Sequence, residues 1–180
     1  MPLPKIIDNE RSSLLDVLKV LCLEHKELSI ATGYWDLAAI RELLPDIDKL
    51  EKIRLLIGRE PLIPRHQLAL PEGDFPEEDF KFDLANVDPS SPLREAATAV
   101  SSWIESGKLE VKLFTTDFLH AKTYVFGNFA SNNAVGVIGS SNFTRNGITK
   151  NTELNALEDD YKVVLFQPKT ELQETGHLSR

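Results

Sequence analysis

His120 and Lys122 stand two residues apart at the start of an apolar run, and Gly139-Ser140-Ser141-Asn142 follows after one polar turn. These residue types share a chemistry. A neutral imidazole is a competent nucleophile near neutral pH. Attack on phosphorus also needs positive charge on the non-bridging oxygens and donors already aimed at them. Lys122 supplies the charge. The small residues of the Gly-Ser-Ser-Asn stretch let backbone amides approach a ligand, and the hydroxyls of Ser140 and Ser141 and the Asn142 carboxamide can bond phosphate oxygens. For a phosphodiester the leaving alkoxide needs a proton, which a second histidine can give. Taken singly, the same residues read as a packed histidine, a surface lysine and an ordinary turn. Their order and spacing point to a phosphate site.

The elements that position them are legible around the motif. Ala121 to Phe126 is rich in Tyr, Val and Phe, Ala134 to Ile138 in Val and Ile, and Gly127-Asn128 through Asn132-Asn133 lies between, which is the pattern of a β-hairpin. Alternate residues of a strand share a face, so His120 and Lys122 are expected to project side by side, with Ala121 and Thr123 on the other face. Antiparallel pairing is expected to bring the Gly-Ser-Ser-Asn loop to the same end.

Upstream, Leu14, Leu15, Val17, Leu18, Leu21 and Cys22 have helical spacing, with Ser12 or Ser13 as N-cap. Leu28 to Tyr34 reads as a buried strand, Asp36 caps a helix that runs to Leu44 and stops at Pro45, and Ile53 to Ile57 is the next strand. Strand, helix, strand with short turns predicts a crossover and parallel neighbours in a sheet. Tyr34, Trp35 and Arg59 fall just beyond strand ends, where they either pack and cap or face a ligand. A helix opened by Ser91 or Pro92 runs from Leu93 to Ser106 and is closed by Gly107. Leu109 to Phe114 alternates as a strand leading into the hairpin; Leu154 to Leu157 and Val163 to Phe166 are strand-like, and a polar helix starts at Pro168.

The pair His120-Ala121-Lys122, then Gly139-Ser140-Ser141-Asn142, then Asn151-Thr152-Glu153 resembles the HKD motif of the phospholipase D superfamily. The likeness is to its single-motif bacterial endonucleases and to nuclease-like modules of restriction enzymes and helicases. The resemblance implies an α/β fold, a phospholipase D-like mixed β-sheet flanked by helices on both faces. It implies roles as well: His120 as nucleophile forming a phosphohistidine, Lys122, Ser140 and Asn142 on the phosphate, and Glu153 holding the imidazole through Nδ1. One motif per chain, with no internal repeat, implies a homodimer in which each subunit lends one histidine. One position departs from the family pattern. Where its motif has an aspartate, five residues after the lysine, this chain has Gly127, and a residue at that odd spacing faces away from Lys122.

Composition bounds the rest. With 180 residues and 42% hydrophobic content, one domain over residues 1–180 is expected. The lone Cys22 sits in an apolar run, which excludes an intrachain disulfide and leaves the redox compartment open. No apolar run reaches membrane-spanning length and the start lacks a signal-peptide core, so a cytoplasmic protein without membrane contact is expected. Six of the ten prolines fall in Glu60 to Pro92, and Pro71 to Pro89 holds seven acids against Lys81, an acidic insertion at about 60–92 in which Phe75, Phe80 and Phe82 suggest docking on the body or on a partner. It carries −6 of the net −8, so the remainder is near neutral, without the basic footprint usual for nucleic-acid binders. Lys112, Lys122, Arg145 and Lys150 nevertheless lie close in sequence to the motif, with Ser141, Arg145 and Lys150 as further candidates for substrate contact.

The expectation is therefore a homodimeric phosphodiesterase acting on DNA, with no cofactor and no metal, since no carboxylate or His/Cys cluster suggests one. It stands as the N-terminal module of a longer protein or beside a helicase or restriction partner. A non-catalytic DNA-binding or dimerisation module and a lipid phosphodiesterase are the other classes the motif allows. His25, His66 and His177 carry no supporting context.

Overall fold

The computed structural model describes residues 3–58, 84, 87–114, 119–127 and 133–160. Seven strands form one sheet in the order β1-β7-β6-β5-β2-β3-β4. In chain order the elements are β1 (Ile6–Ile7), α1 (Leu14–Glu24), β2 (Glu27–Thr32), α2 (Leu37–Ile47), β3 (Lys52–Ile57), α3 (Arg94–Glu105), β4 (Leu109–Leu113), β5 (Lys122–Phe126), β6 (Val135–Gly139), α4 (Arg145–Thr149) and β7 (Asn155–Glu158). β2, β3 and β4 are parallel, joined through α2 and α3, while β5, β6, β7 and β1 add on antiparallel. The sheet is mixed and the class α/β, as expected.

Local chemistry explains most element ends. Ser13 caps α1 by accepting the Asp16 N–H at 3.1 Å, and the predicted stripe of Leu14, Val17, Leu18, Leu21 and Cys22 is buried. Burial also pushes the Cys22 thiol up to about 12, so it packs as a small apolar group. Asp36 caps α2 through the Ala39 N–H at 2.7 Å. Pro45 does not stop that helix, which runs on to Ile47. The proline is exposed and in the last turn, so the one backbone bond it forgoes is lost where solvent can replace it. Ser91 does not cap α3 directly: it accepts the Leu93 N–H on its hydroxyl and the Arg94 N–H on its carbonyl, building the turn from which the helix starts. Gly107 closes α3 with φ of +73°.

The four described helices touch one another in a single layer, α1 on α2 and α4, and α2 on α3 and α4. Of the helical layers expected on both faces, the described residues form this one. Strand burial alternates to match: Leu28, Ile30, Ile53, Leu55, Tyr124 and Phe126 point into the helix side and are buried. The opposite face carries Ala31, Leu56, Thr123 and Val125 around an open depression of about 260 Å³. The strand expected at Val163 to Phe166, the polar helix expected from Pro168, Arg59 and most of the acidic insertion lie outside the described residues. No helix among the described residues is long and apolar enough to cross a membrane.

Gly127 acquires a backbone reason here. It follows β5 with φ of +86°, in the region that favours glycine, and its N–H donates to the Glu27 carbonyl at 3.0 Å. Gly127→Asp, which restores the family's residue, is therefore expected to lower stability by about 1 kcal/mol. Urea unfolding of the two proteins checks it, and equal midpoints would remove this account of the departure.

Candidate active site

The candidate residues converge where β2 ends, β5 begins and β6 ends. His120 is exposed and precedes β5, which starts only at Lys122. The two therefore do not project side by side from a regular strand, as the spacing suggested. Lys122 is 8% exposed, lies on the helix-facing side opposite Thr32, and turns its Nζ back to the His120 carbonyl at 3.3 Å. Burying an ammonium this far is costly without an anion or an acceptor beside it. A carbonyl partner leaves donor capacity on Nζ for a second oxygen.

Asn142 reaches the same place from β6. Its Oδ1 accepts the Tyr34 N–H at 3.2 Å and lies 3.3 Å from the Thr32 hydroxyl. A methyl group built on Gly33 would sit 3.1 Å from the Leu119 carbonyl and 3.5 Å from Asn142 Oδ1, so the Asn142 amide and the backbone leading into His120 flank one glycine. His120, Lys122 and Asn142 are thus brought together.

The other expected residues behave differently. Ser141 is fully buried and its polar atoms are spent inside: Oγ accepts from Asn155 Nδ2 at 2.9 Å, the N–H donates to Asn155 Oδ1 at 3.3 Å, and the carbonyl accepts the Tyr124 hydroxyl at 2.9 Å. Ser141 thus anchors the loop to the scaffold. Ser140 is exposed, with its proton donated to Glu153 and one of its two lone pairs taken by the Leu154 N–H at 3.0 Å. The carboxylate of Glu153 accepts from Ser140 and, at 3.4 Å, from Asn151. The reason is register: β6 pairs with β7 through Gly139 opposite Asn155, which sets Ser140 beside Leu154 and Glu153 one step beyond. Arg145 is exposed and its guanidinium bonds Glu42 at 2.9 Å; Arg41, with Arg145 adding to it, holds that carboxyl below its usual range. Lys150 is exposed at the end of α4. Lys112 belongs to β4 and the opposite face, paired with Glu110, and does not join Lys122. Trp35 is buried and bridges to Phe143, so it packs. No group of three or more His, Cys, Asp or Glu side chains among the described residues is placed to hold a metal ion.

Four residues that the sequence did not single out for the site hold it in place. Tyr124, wholly buried two positions after Lys122, anchors the loop by its hydroxyl; burial, with the Glu153 charge adding to it, pushes that phenol well above its ordinary value. Asn155 passes so close under Gly139 that a Cβ there would meet Asn155 Oδ1 at 2.4 Å, which is why the motif opens with glycine. Asp36 and Thr32 tie the loop from the other side: the Asp36 carboxylate accepts the Arg145 N–H at 3.1 Å and Thr32 accepts the Phe143 N–H at 3.1 Å. None of these long-range bonds leaves a local pattern in sequence. Asn155→Ala would strip partners from two buried Ser141 groups and is expected to cost about 2–3 kcal/mol, whereas Ser140→Ala, at an exposed position, is expected to cost less than about 1 kcal/mol. Thermal and urea unfolding of both variants checks the order, and equal losses would contradict it.

Comparison with known proteins bears on the family and the fold. A family model described as cardiolipin synthase, PLD-like domain, matches residues 21–166. No curated protein matches the chain. Among solved structures it is similar to the phospholipase D family member Nuc from Salmonella typhimurium, with a TM-score of 0.51 and 12% identity, over 88% of this chain and 84% of that one. Phosphatidylserine synthase from Haemophilus influenzae gives 0.53 and 18%, over 90% of this chain. A yeast tyrosyl-DNA phosphodiesterase 1 mutant gives 0.49 and 12%, over 86% of this chain. The chain spans only 37% of the synthase and 31% of the yeast enzyme. At these identities the likenesses to Nuc and to the synthase show the fold, and the match over residues 21–166 shows the family: the chain belongs to the phospholipase D-like family.

Proposed function

We propose that this domain is a metal-independent phosphodiesterase that cuts DNA through a phosphohistidine on His120. The observation that carries the reading is that Lys122, its Nζ bonded to the His120 carbonyl, and the Asn142 carboxamide, beside the Thr32 that pairs with Lys122, gather at the strand ends where an exposed histidine stands. Two donors placed beside a nucleophile are what a phosphoryl centre needs. In the proposed reaction a ring nitrogen of His120 forms a bond to phosphorus, Lys122 and Asn142 take the charge growing on the non-bridging oxygens, and the P–O bond to the leaving nucleotide breaks. A second histidine, His120 of another copy, protonates that oxygen and then takes a proton from the water that hydrolyses the phosphohistidine. The second copy makes the active unit a homodimer. A cytoplasmic site of action and a helicase or restriction partner, fused or associated, belong to the same reading.

The engagement of Glu153 with Ser140 favours a second one, a DNA-binding or dimerisation module that grips phosphate without cutting. Phosphatidyl transfer would use the same residues on a lipid.

Cleavage of single- and double-stranded DNA in EDTA separates these. The wild type is expected to cut and His120→Ala to lose at least about 10³-fold in rate, as removal of a nucleophile does. The active species is expected to have the mass of a dimer. DNA binding with no cleavage by either protein would select the binding module. Turnover confined to phospholipid vesicles would select the lipid enzyme.

A further inference from the structure

Thr32 has no part in the chemistry above, yet it is wholly buried at the end of β2, directly opposite Lys122. Its hydroxyl makes three polar contacts: the Tyr34 carbonyl at 2.7 Å, the Phe143 N–H at 3.1 Å and Asn142 Oδ1 at 3.3 Å. A hydroxyl has one proton and two lone pairs. The Phe143 N–H occupies a lone pair, and the proton lies between the Tyr34 carbonyl and Asn142 Oδ1, favouring the shorter contact. The Tyr34 N–H donates to the same Asn142 oxygen at 3.2 Å. A carboxamide turned over by 180° would set its NH₂ against the Tyr34 N–H, donor against donor, so the observed orientation is enforced.

We propose that Thr32 is a positioning residue for the phosphate-binding carboxamide. It fixes the Tyr34 carbonyl and the Phe143 amide on either side of Asn142, and so holds Asn142 with its carbonyl toward the β2 end and its NH₂ turned the opposite way, toward the ligand. A carbonyl facing a phosphate oxygen would repel it; an NH₂ donates to it. Valine keeps the shape of Thr32 and removes the hydroxyl, while serine keeps the hydroxyl and removes only a methyl group.

The proposal rests on the phosphate-site reading for what is bound, and its test is read first by binding. Thr32→Val, Thr32→Ser and the wild type are titrated with inorganic phosphate by calorimetry, assayed in EDTA on bis(4-nitrophenyl) phosphate, and melted in the same buffer. Thr32→Val is expected to bind phosphate about tenfold more weakly and to turn over about tenfold more slowly, the equivalent of one hydrogen bond. Thr32→Ser is expected to stay within about twofold of wild type. A valine variant that melts lower but binds and turns over as the wild type does would overturn the proposal and leave Thr32 as scaffold alone. If the wild type binds phosphate without hydrolysing the diester, and valine weakens that binding, the positioning role stands and the enzyme reading falls. A wild type that neither binds nor hydrolyses overturns both. Thr32→Ala, which introduces no new contact, replaces the valine variant if that one does not fold, with the same expected losses.

Discussion

The site depends on a clasp between two loops far apart in sequence. Residues Thr32 to Asp36, leaving β2, and Asn142 to Arg145, leaving β6, exchange backbone and side-chain bonds: Phe143 N–H to Thr32, Tyr34 N–H to Asn142, Asp36 N–H to the Phe143 carbonyl, and Arg145 N–H to Asp36. Each bond is worth about 1 kcal/mol net. Their value lies in geometry, because a donor aimed at a developing charge stabilises it only if it is already in place. β5 runs between these two loops and brings Lys122, with His120 just before it.

Beneath the clasp lies a second constraint, the packing of the hairpin on its helix side. Tyr124 and Phe126 are wholly buried there with Phe143, and Tyr124 stacks edge-on against Phe143 with ring centroids 6.1 Å apart. Asn155 and the Tyr124 hydroxyl satisfy every polar group that Ser141 would otherwise bury unpaired. Core and site therefore share residues, and the Gly-Ser-Ser-Asn stretch divides its work: Gly139 gives clearance, Ser141 anchors, Asn142 meets the loop leaving β2 and Ser140 meets Glu153.

Much of this was legible in the sequence because it is local. The stripe of α1, its Ser13 cap, the Asp36 cap and the alternation of β3 and β5 follow from periodicity and side-chain chemistry within a few residues. The β1 pair Ile6–Ile7 and the short α4 are too brief to show any period, and both exist through tertiary pairing. Pro45 was misread because sequence cannot tell a buried interior turn from an exposed final one. Ser141 and Glu153 were read from their place in a motif, but strand register decides which way each faces. Thr32 was invisible, since its partners in the loop after β6 lie 110 and 111 positions away.

The central claim is that His120 attacks phosphorus while Lys122 and Asn142 hold the phosphate. Its most direct test is to quench the protein at alkaline pH, where a phosphohistidine survives, during turnover on an oligonucleotide in EDTA, and to map adducts by mass spectrometry of peptides. The account predicts a peptide containing His120 that carries one nucleotide-phosphate mass, lost on acid treatment and absent from His120→Ala. Continued cleavage by a protein that never carries an adduct on His120, or by His120→Ala itself, would contradict it.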